Sequence, residues 1–215
     1  MTERHLIDPP PANPAAREPA LRSSRVLLRP LHGDDFDAWR EVRSRCGPWL
    51  ERWEPKRDPR FVDPGSSRAT FEHWCATWAR ERHFDVSYGF GLFVTGRRFA
   101  GEVSLGCVQR GPYETGNVGY WIDEALAGHG LVPEAVVVTL RFAFEAISLH
   151  RVEISIIPRN AASRRVVEKL GIREEGIALR FLEIDGVWED HVRYAITAEE
   201  WAVREPELVT TWLAL

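Results

Sequence analysis

Cysteine is scarce. Cys46, Cys75 and Cys107 are odd in number and far apart in a chain of 215 residues. That excludes a disulfide frame and a clustered zinc site, and it fits reduced thiols in a cytoplasmic protein. Each is expected to act as a small buried hydrophobe. Charge of one sign is also lacking: 28 basic against 32 acidic residues leave a net charge of -4. A general nucleic-acid binder normally carries a basic excess, so no such signature is present. No apolar run approaches the roughly 18 residues of a membrane span. The start, Met1-Thr2-Glu3-Arg4-His5, lacks the charged-then-apolar order of a signal peptide. His32, His73, His83, His129, His150 and His191 show no metal-ligand spacing, and no His-Glu-x-x-His occurs. No metal is implied. There is no Gly-x-Ser-x-Gly elbow and no Gly-Lys-Ser/Thr of a Walker loop.

What is present is enough to fold. Hydrophobic residues make up 44% of the chain and aromatics 11%, which excludes a wholly disordered protein. Area scaling predicts that roughly 70% of the extended surface is buried, enough for one sizeable core with a cleft. Residues 1–22 carry five prolines and no hydrophobic period, and read as a flexible tail. Residues 23–215 read as a single domain. The patterns predict a strand at 25–29 and a helix over about 35–46. A Pro- and Trp-rich loop follows at 47–64, then a helix from the Ser66/Ser67 cap to about 82. Period-two alternation then predicts a hairpin about Gly96 and a third strand over 117–123. A mostly apolar, buried helix starts after Gly130. A strand at 152–157, a helix at 161–170, a hairpin turned at Asp185-Gly186, and a helix capped by Thr197 with Glu200 complete the order. This is a mixed-sheet α+β or α/β plan.

Three local features could carry chemistry. Gly128-His129-Gly130-Leu131-Val132-Pro133 joins a strand to the buried helix. Its glycines allow close backbone approach, and the first helical amides suit a phosphate or diphosphate. The bland reading is a turn with a helix start. Asn160-Ala161-Ala162-Ser163 gives a good N-cap at Asn160 and a hydroxyl in the first turn at Ser163. Asn160 could also hold a bound chain. Trp53 and Glu54, in the Pro-rich loop, could hold a peptide segment and its cationic amine; packing is the bland reading.

In this order the features resemble the GNAT acyl-CoA-dependent N-acyltransferases, and within them the RimJ/RimL-type ribosomal-protein N-terminal acetyltransferases. The resemblance runs from about Arg25 to Trp201. It includes Leu28-Arg29-Pro30, Trp53-Glu54-Pro55, Gly119-Tyr120-Trp121-Ile122, Gly128-His129-Gly130, His150-Arg151-Val152-Glu153, Asn160 to Ser163, and Val187 to His191. It implies the GNAT fold: a twisted, mostly antiparallel sheet split between strands about 117–123 and 152–157, flanked by helices. Acetyl-CoA, or another acyl-CoA, would lie in that split. Its pantetheine would pair with the strand bearing Trp121 and Ile122, and its diphosphate would meet the segment Gly128, His129, Gly130, Leu131 and Val132. Asn160 would bind the pantetheine arm. An amide near Ile122 would stabilise the oxyanion, and Ser163 would serve the departing thiolate. Trp53, Glu54 and Tyr120 would face the acceptor. The loop departs from the family pattern at Ala125. The position where some members carry a basic glutamate is Leu182, so no general base carries over. Glu54, Glu102, Glu114 and a water chain remain open for that role.

The implied partner is the N-terminus of a protein, ribosomal by resemblance, met by a cytoplasmic monomer or dimer. An α-amine with a pKa near 7.8 is neutral in about one molecule in ten at pH 7, whereas a lysine near 10.4 is neutral in about one in a few thousand. An enzyme without an obvious base suits the first better. A small amine such as an antibiotic or polyamine, another acyl group such as succinyl, and a non-catalytic CoA-binding module are the competing readings.

Overall fold

The computed structural model describes residues 19–213 except 57, 59, 95 and 97. Among them, one sheet holds β1 (Leu21–Arg22), β2 (Val26–Arg29), β3 (Tyr88–Val94), β4 (Arg98–Gln109), β5 (Thr115–Ile122), β6 (Arg151–Ile156), β7 (Arg173–Ile184) and β8 (Val187–Thr197). The α-helices are α1 (Phe36–Leu50), α2 (Arg68–His83), α3 (Leu131–Arg141), α4 (Ala161–Lys169) and α5 (Ala198–Trp212). The strand order is β1-β2-β3-β4-β5-β6-β8-β7, antiparallel throughout except for the parallel pair β5–β6. This is the expected mixed α+β architecture. Of the segment read as a tail, 1–18 lies outside the described residues, and Leu21–Arg22 pairs with Leu27 and Leu28 instead of trailing free.

The alternation of β3 sorts the core. Tyr88, Phe90 and Leu92 point to the face covered by α3, α4 and α5, where most of the buried apolar residues meet. Phe93 and Phe99 point to the other face and pack with Phe36, Trp39, Val42, Cys46, Leu50 and Phe71 of α1 and α2. Gly89 lies on that second face with the Trp78 ring against its backbone. A Cβ there would fall 1.1 Å from the ring, so only glycine lets α2 sit this close.

Local signals place most helix starts. Ser67 accepts from the Thr70 amide at 3.2 Å, and Thr197 and Glu200 form the reciprocal capping box. Three elements differ from the sequence reading. Helix α1 runs through Gly47-Pro48 to Leu50, so the loop predicted from 47 starts later. Burial of Leu50 and Cys46 in the aromatic cluster outweighs the one backbone hydrogen bond that proline removes. Helix α3 widens into a π-turn over Phe142–Ala146, which sets Phe142 edge-on to Tyr88 and Phe90 and stacks Phe144 on Trp201. Cys107 is exposed, not buried, because β4 slips register between Gly106 and Gln109 and takes Cys107 to φ 52°.

Fully buried Asp123, just past β5, accepts from Arg45 of α1 at 2.8 and 3.0 Å and from Arg98 of β4 at 2.9 Å. The Arg45 guanidinium holds this carboxyl well below its ordinary 3.8. Arg151 likewise pulls Glu175 down from 4.5 to about 2. Both groups favour the fold in their ionised form. Their contribution is therefore full above about pH 5 and disappears as pH falls through the folded-state values. The part of the thermal unfolding midpoint that these two groups supply should be flat from pH 7 to about 5 and drop steeply below that. Asp123→Asn should lower it at pH 7 and flatten the acid slope. An unchanged slope would remove Asp123 from this account.

Candidate active site

The parallel pair β5–β6 is short. Thr115, Gly116 and Asn117 register with Arg151, Val152 and Glu153, and beyond them the strands part. Strand β6 stays bonded to β8 along its length, so the fork leaves one edge of β5 open. The Asp123 amide donates to the Ala100 carbonyl of β4 at 2.6 Å. Alternation along the strand then turns the N–H groups of Ile122 and Tyr120 away from β4 and towards the fork, past the last β5–β6 rung at Asn117 and Glu153. The fork opens into a cleft of about 920 Å³ lined by Trp53, Glu54, Tyr120, Trp121, Ile122, Gly128, Gly130, Leu131, Val132, Asn160 and Ser163. Ser155, on β6, has a buried hydroxyl there with no partner among the described residues.

At one end, Asp123 also accepts from the Ala125 amide at 3.0 Å and starts a short turn that leads to the glycines. Gly128 and Gly130 stand at φ 83° and 79°, conformations open to glycine, and α3 begins at Leu131. A Cβ at Gly128 would meet no atom within 4 Å. The loop is therefore shaped by backbone torsion and not by crowding. His129 is the one member of the predicted set outside the cleft lining; its ring lies 3.3 Å from the Leu126 carbonyl. Sequence reasoning missed Arg165 and Lys169, which bring positive charge to the same cleft from α4. Their i,i+4 spacing was the available signal.

Across the fork, Asn160 Oδ1 accepts from the Ser163 amide at 3.1 Å. The capping role predicted for Asn160 is real, and its Nδ2 is what it could offer a bound chain. The Tyr120 hydroxyl lies 2.8 Å from Ser163 Oγ and 3.3 Å from the Ser163 carbonyl. Burial pushes the Tyr120 phenol well above its ordinary 10, so it stays protonated.

At the other end, Trp53 is half-buried, with the guanidinium groups of Arg52 and Arg159 at 5.1 and 4.9 Å from its ring centre. Glu54 accepts from Arg43 at both carboxylate oxygens, at 2.7 and 2.8 Å. Its carbonyl accepts from the Asp185 amide, tying the β7–β8 turn to this loop. Of the two carboxylates that line the cleft, Glu102 of β4 has no cation across its oxygens among the described residues. It accepts from Trp39 Nε1 at 2.5 Å and Trp121 Nε1 at 3.0 Å. Burial raises its carboxyl above the ordinary 4.5 against the pull of those donors. Glu102 lines the cleft and also a second cavity of about 230 Å³ beneath α2. Glu114 is outside the cleft and bonds Arg110 and the Gly111 amide.

Among the described residues no three His, Cys, Asp or Glu gather as a metal site, and no helix is long and apolar enough to cross a membrane. The family model of the GNAT acetyltransferase domain matches residues 25–173. A probable N-acetyltransferase of Bacillus subtilis, YjcK, is 35% identical over 179 residues, which is 82% of this chain and 96% of that one. The ribosomal protein uS5-alanine N-acetyltransferase of Escherichia coli is 31% identical over 185 residues, covering 84% and 92%. Among solved structures, RimJ of Mycobacterium smegmatis in complex with a CoA disulfide superposes with a TM-score of 0.83 at 30% identity, covering 91% of this chain and 95% of that one.

Proposed function

The chain belongs to the GNAT acetyltransferase family and is an acyl-CoA-dependent N-acetyltransferase; from that premise we propose that it transfers acetyl from acetyl-CoA to the N-terminal α-amine of a protein, ribosomal in kind. The observation that carries the reading is the fork. It sets the Ile122 amide on one bank and the Ser163 hydroxyl, backed by Tyr120, on the other side of one cleft. The residues fit the donor. Open β5 amides and the orphaned Ser155 hydroxyl suit the amide-bearing pantetheine arm, and Gly128, Gly130 and Leu131 suit the diphosphate. Arg165 and Lys169 add charge for its phosphates.

The acceptor enters beside Trp53 and the β7–β8 turn. Glu102 takes the proton of the ammonium, leaving a lone pair to attack the thioester carbonyl carbon. The Ile122 N–H donates to the oxygen as it gains negative charge. The C–S bond then breaks as the nitrogen gives up its second proton to water, and Ser163 donates a hydrogen bond to the thiolate that leaves. The relatives named for ribosomal-protein alanine acetylation support the choice of acceptor.

The test mixes enzyme, acetyl-CoA and peptides that begin with alanine, against the same peptides N-blocked but carrying an internal lysine, and against spermidine. Acetylated α-amine with matching free thiol is expected only in the first mixture. Transfer to spermidine or lysine at a similar rate would overturn the acceptor. No transfer at all would leave only a CoA-binding module.

A further inference from the structure

The Gly128–Leu131 loop is held from behind by a residue outside the cleft. Glu134, in the first turn of α3, is fully buried. Its Oε1 accepts from Ser23 Oγ at 2.5 Å and from the Arg25 amide at 3.0 Å. Its Oε2 accepts from Arg25 Nε at 2.7 Å and Nη2 at 2.5 Å. The same guanidinium donates to the His129 carbonyl at 3.0 Å and reaches the Gly130 carbonyl at 3.5 Å. Thus one side chain, entering from the segment between β1 and β2, binds a buried carboxylate and two loop carbonyls together.

We propose that Arg25, locked by Glu134, is the positioning residue that aims the loop amides at the donor's diphosphate. Two physical arguments lead there. A trans peptide sets its C=O and N–H on opposite sides. Drawing the His129 and Gly130 carbonyls towards Arg25 therefore turns the Gly130 and Leu131 N–H groups the other way, into the cleft. The second argument is charge. A bare carboxylate at Glu134 would sit within one helical turn of a bound diphosphate and oppose it. The guanidinium cancels that charge while holding the loop.

The proposal rests on the reading that this loop meets the diphosphate, and the experiment separates the two. Calorimetry gives the Kd for coenzyme A, and steady-state kinetics compares acetyl-CoA with S-acetylpantetheine, which has no diphosphate. Arg25→Ala should weaken coenzyme A about tenfold or more and raise KM for acetyl-CoA alike, while kcat at saturation and kcat/KM for S-acetylpantetheine stay within about twofold. Arg25→Ala/Glu134→Gln removes the repulsion but not the lost grip, so it should recover part of the affinity. Arg25→Lys keeps the charge without the fork and should fall between; it carries the same readout if Arg25→Ala does not fold. Equal losses with both donors, or an unchanged Kd in folded Arg25→Lys and Arg25→Ala, would overturn the clamp. If the wild type shows no preference for coenzyme A over pantetheine, the diphosphate reading fails and the clamp with it. If that preference survives Arg25→Ala, the clamp alone fails.

Discussion

Glu102→Gln should cut kcat/KM at pH 7 by about 10²- to 10³-fold, the scale of losing a positioned general base. The carboxylate has the qualities the role asks for. Burial raises its proton affinity towards the working pH, and two indole N–H groups fix where its oxygens point. The cost is visible in stability. Because the folded-state pKa lies above the unfolded 4.5, ionising Glu102 above that pH works against the fold, opposite in sign to Asp123. The defect should depend on pH. An α-amine with a pKa near 7.8 supplies its own neutral form as pH rises, so the loss should shrink to about tenfold or less by pH 9. A pH–rate profile of both proteins measures this. A loss that is constant from pH 6 to 9, or no loss, would take the base away from Glu102.

Glu102 also marks the limit of what the sequence could disclose. The sequence set Glu102 beside Glu54 and Glu114 as an open candidate for the base, and nothing local chooses among them. The meaning of Glu102 comes from Trp39, which is 63 positions away, and from Trp121 on the neighbouring strand. No local period links them. The same holds for Arg25 with Glu134, where the partners are 109 positions apart. Features closed within a few residues were legible: the Thr197–Glu200 box, the Ser67 cap, the turn at Asp185-Gly186 and the helix start after Gly130 each depend on near neighbours. Gly47-Pro48 shows the converse. Its local signal says stop, and burial of Leu50 in tertiary packing overrides it. The fork was placed by resemblance, since hydrophobic alternation gives strands but not the number of residues over which two of them pair. Glu54 was expected to face the acceptor's amine. It lines the cleft, but Arg43 already occupies both of its oxygens, a contact that spacing alone could not foretell.

Ser163→Ala should slow turnover by about 10- to 100-fold, the range of one hydrogen bond to a charged group. Coenzyme A binding should hardly change. The helix start is safe, because Asn160 caps through the Ser163 amide, which alanine retains. The departing thiolate resembles a cysteine thiolate, with a proton affinity near 8.5, whereas the Tyr120 phenol is pushed well above 10. Full proton transfer from Tyr120 to sulfur is uphill. The pair is better suited to stabilising the developing charge by donation, with Ser163 meeting the sulfur and Tyr120 holding Ser163 at 2.8 Å. Tyr120→Phe should therefore cost only about two- to fivefold, and the double variant should match Ser163→Ala alone, since one residue acts through the other. A donor whose thiol is more acidic needs less help, so its turnover should depend less on Ser163. If the two single losses multiply in the double variant, Tyr120 acts on the substrate independently. If Ser163→Ala turns over as fast as the wild type, the leaving sulfur is served by another group.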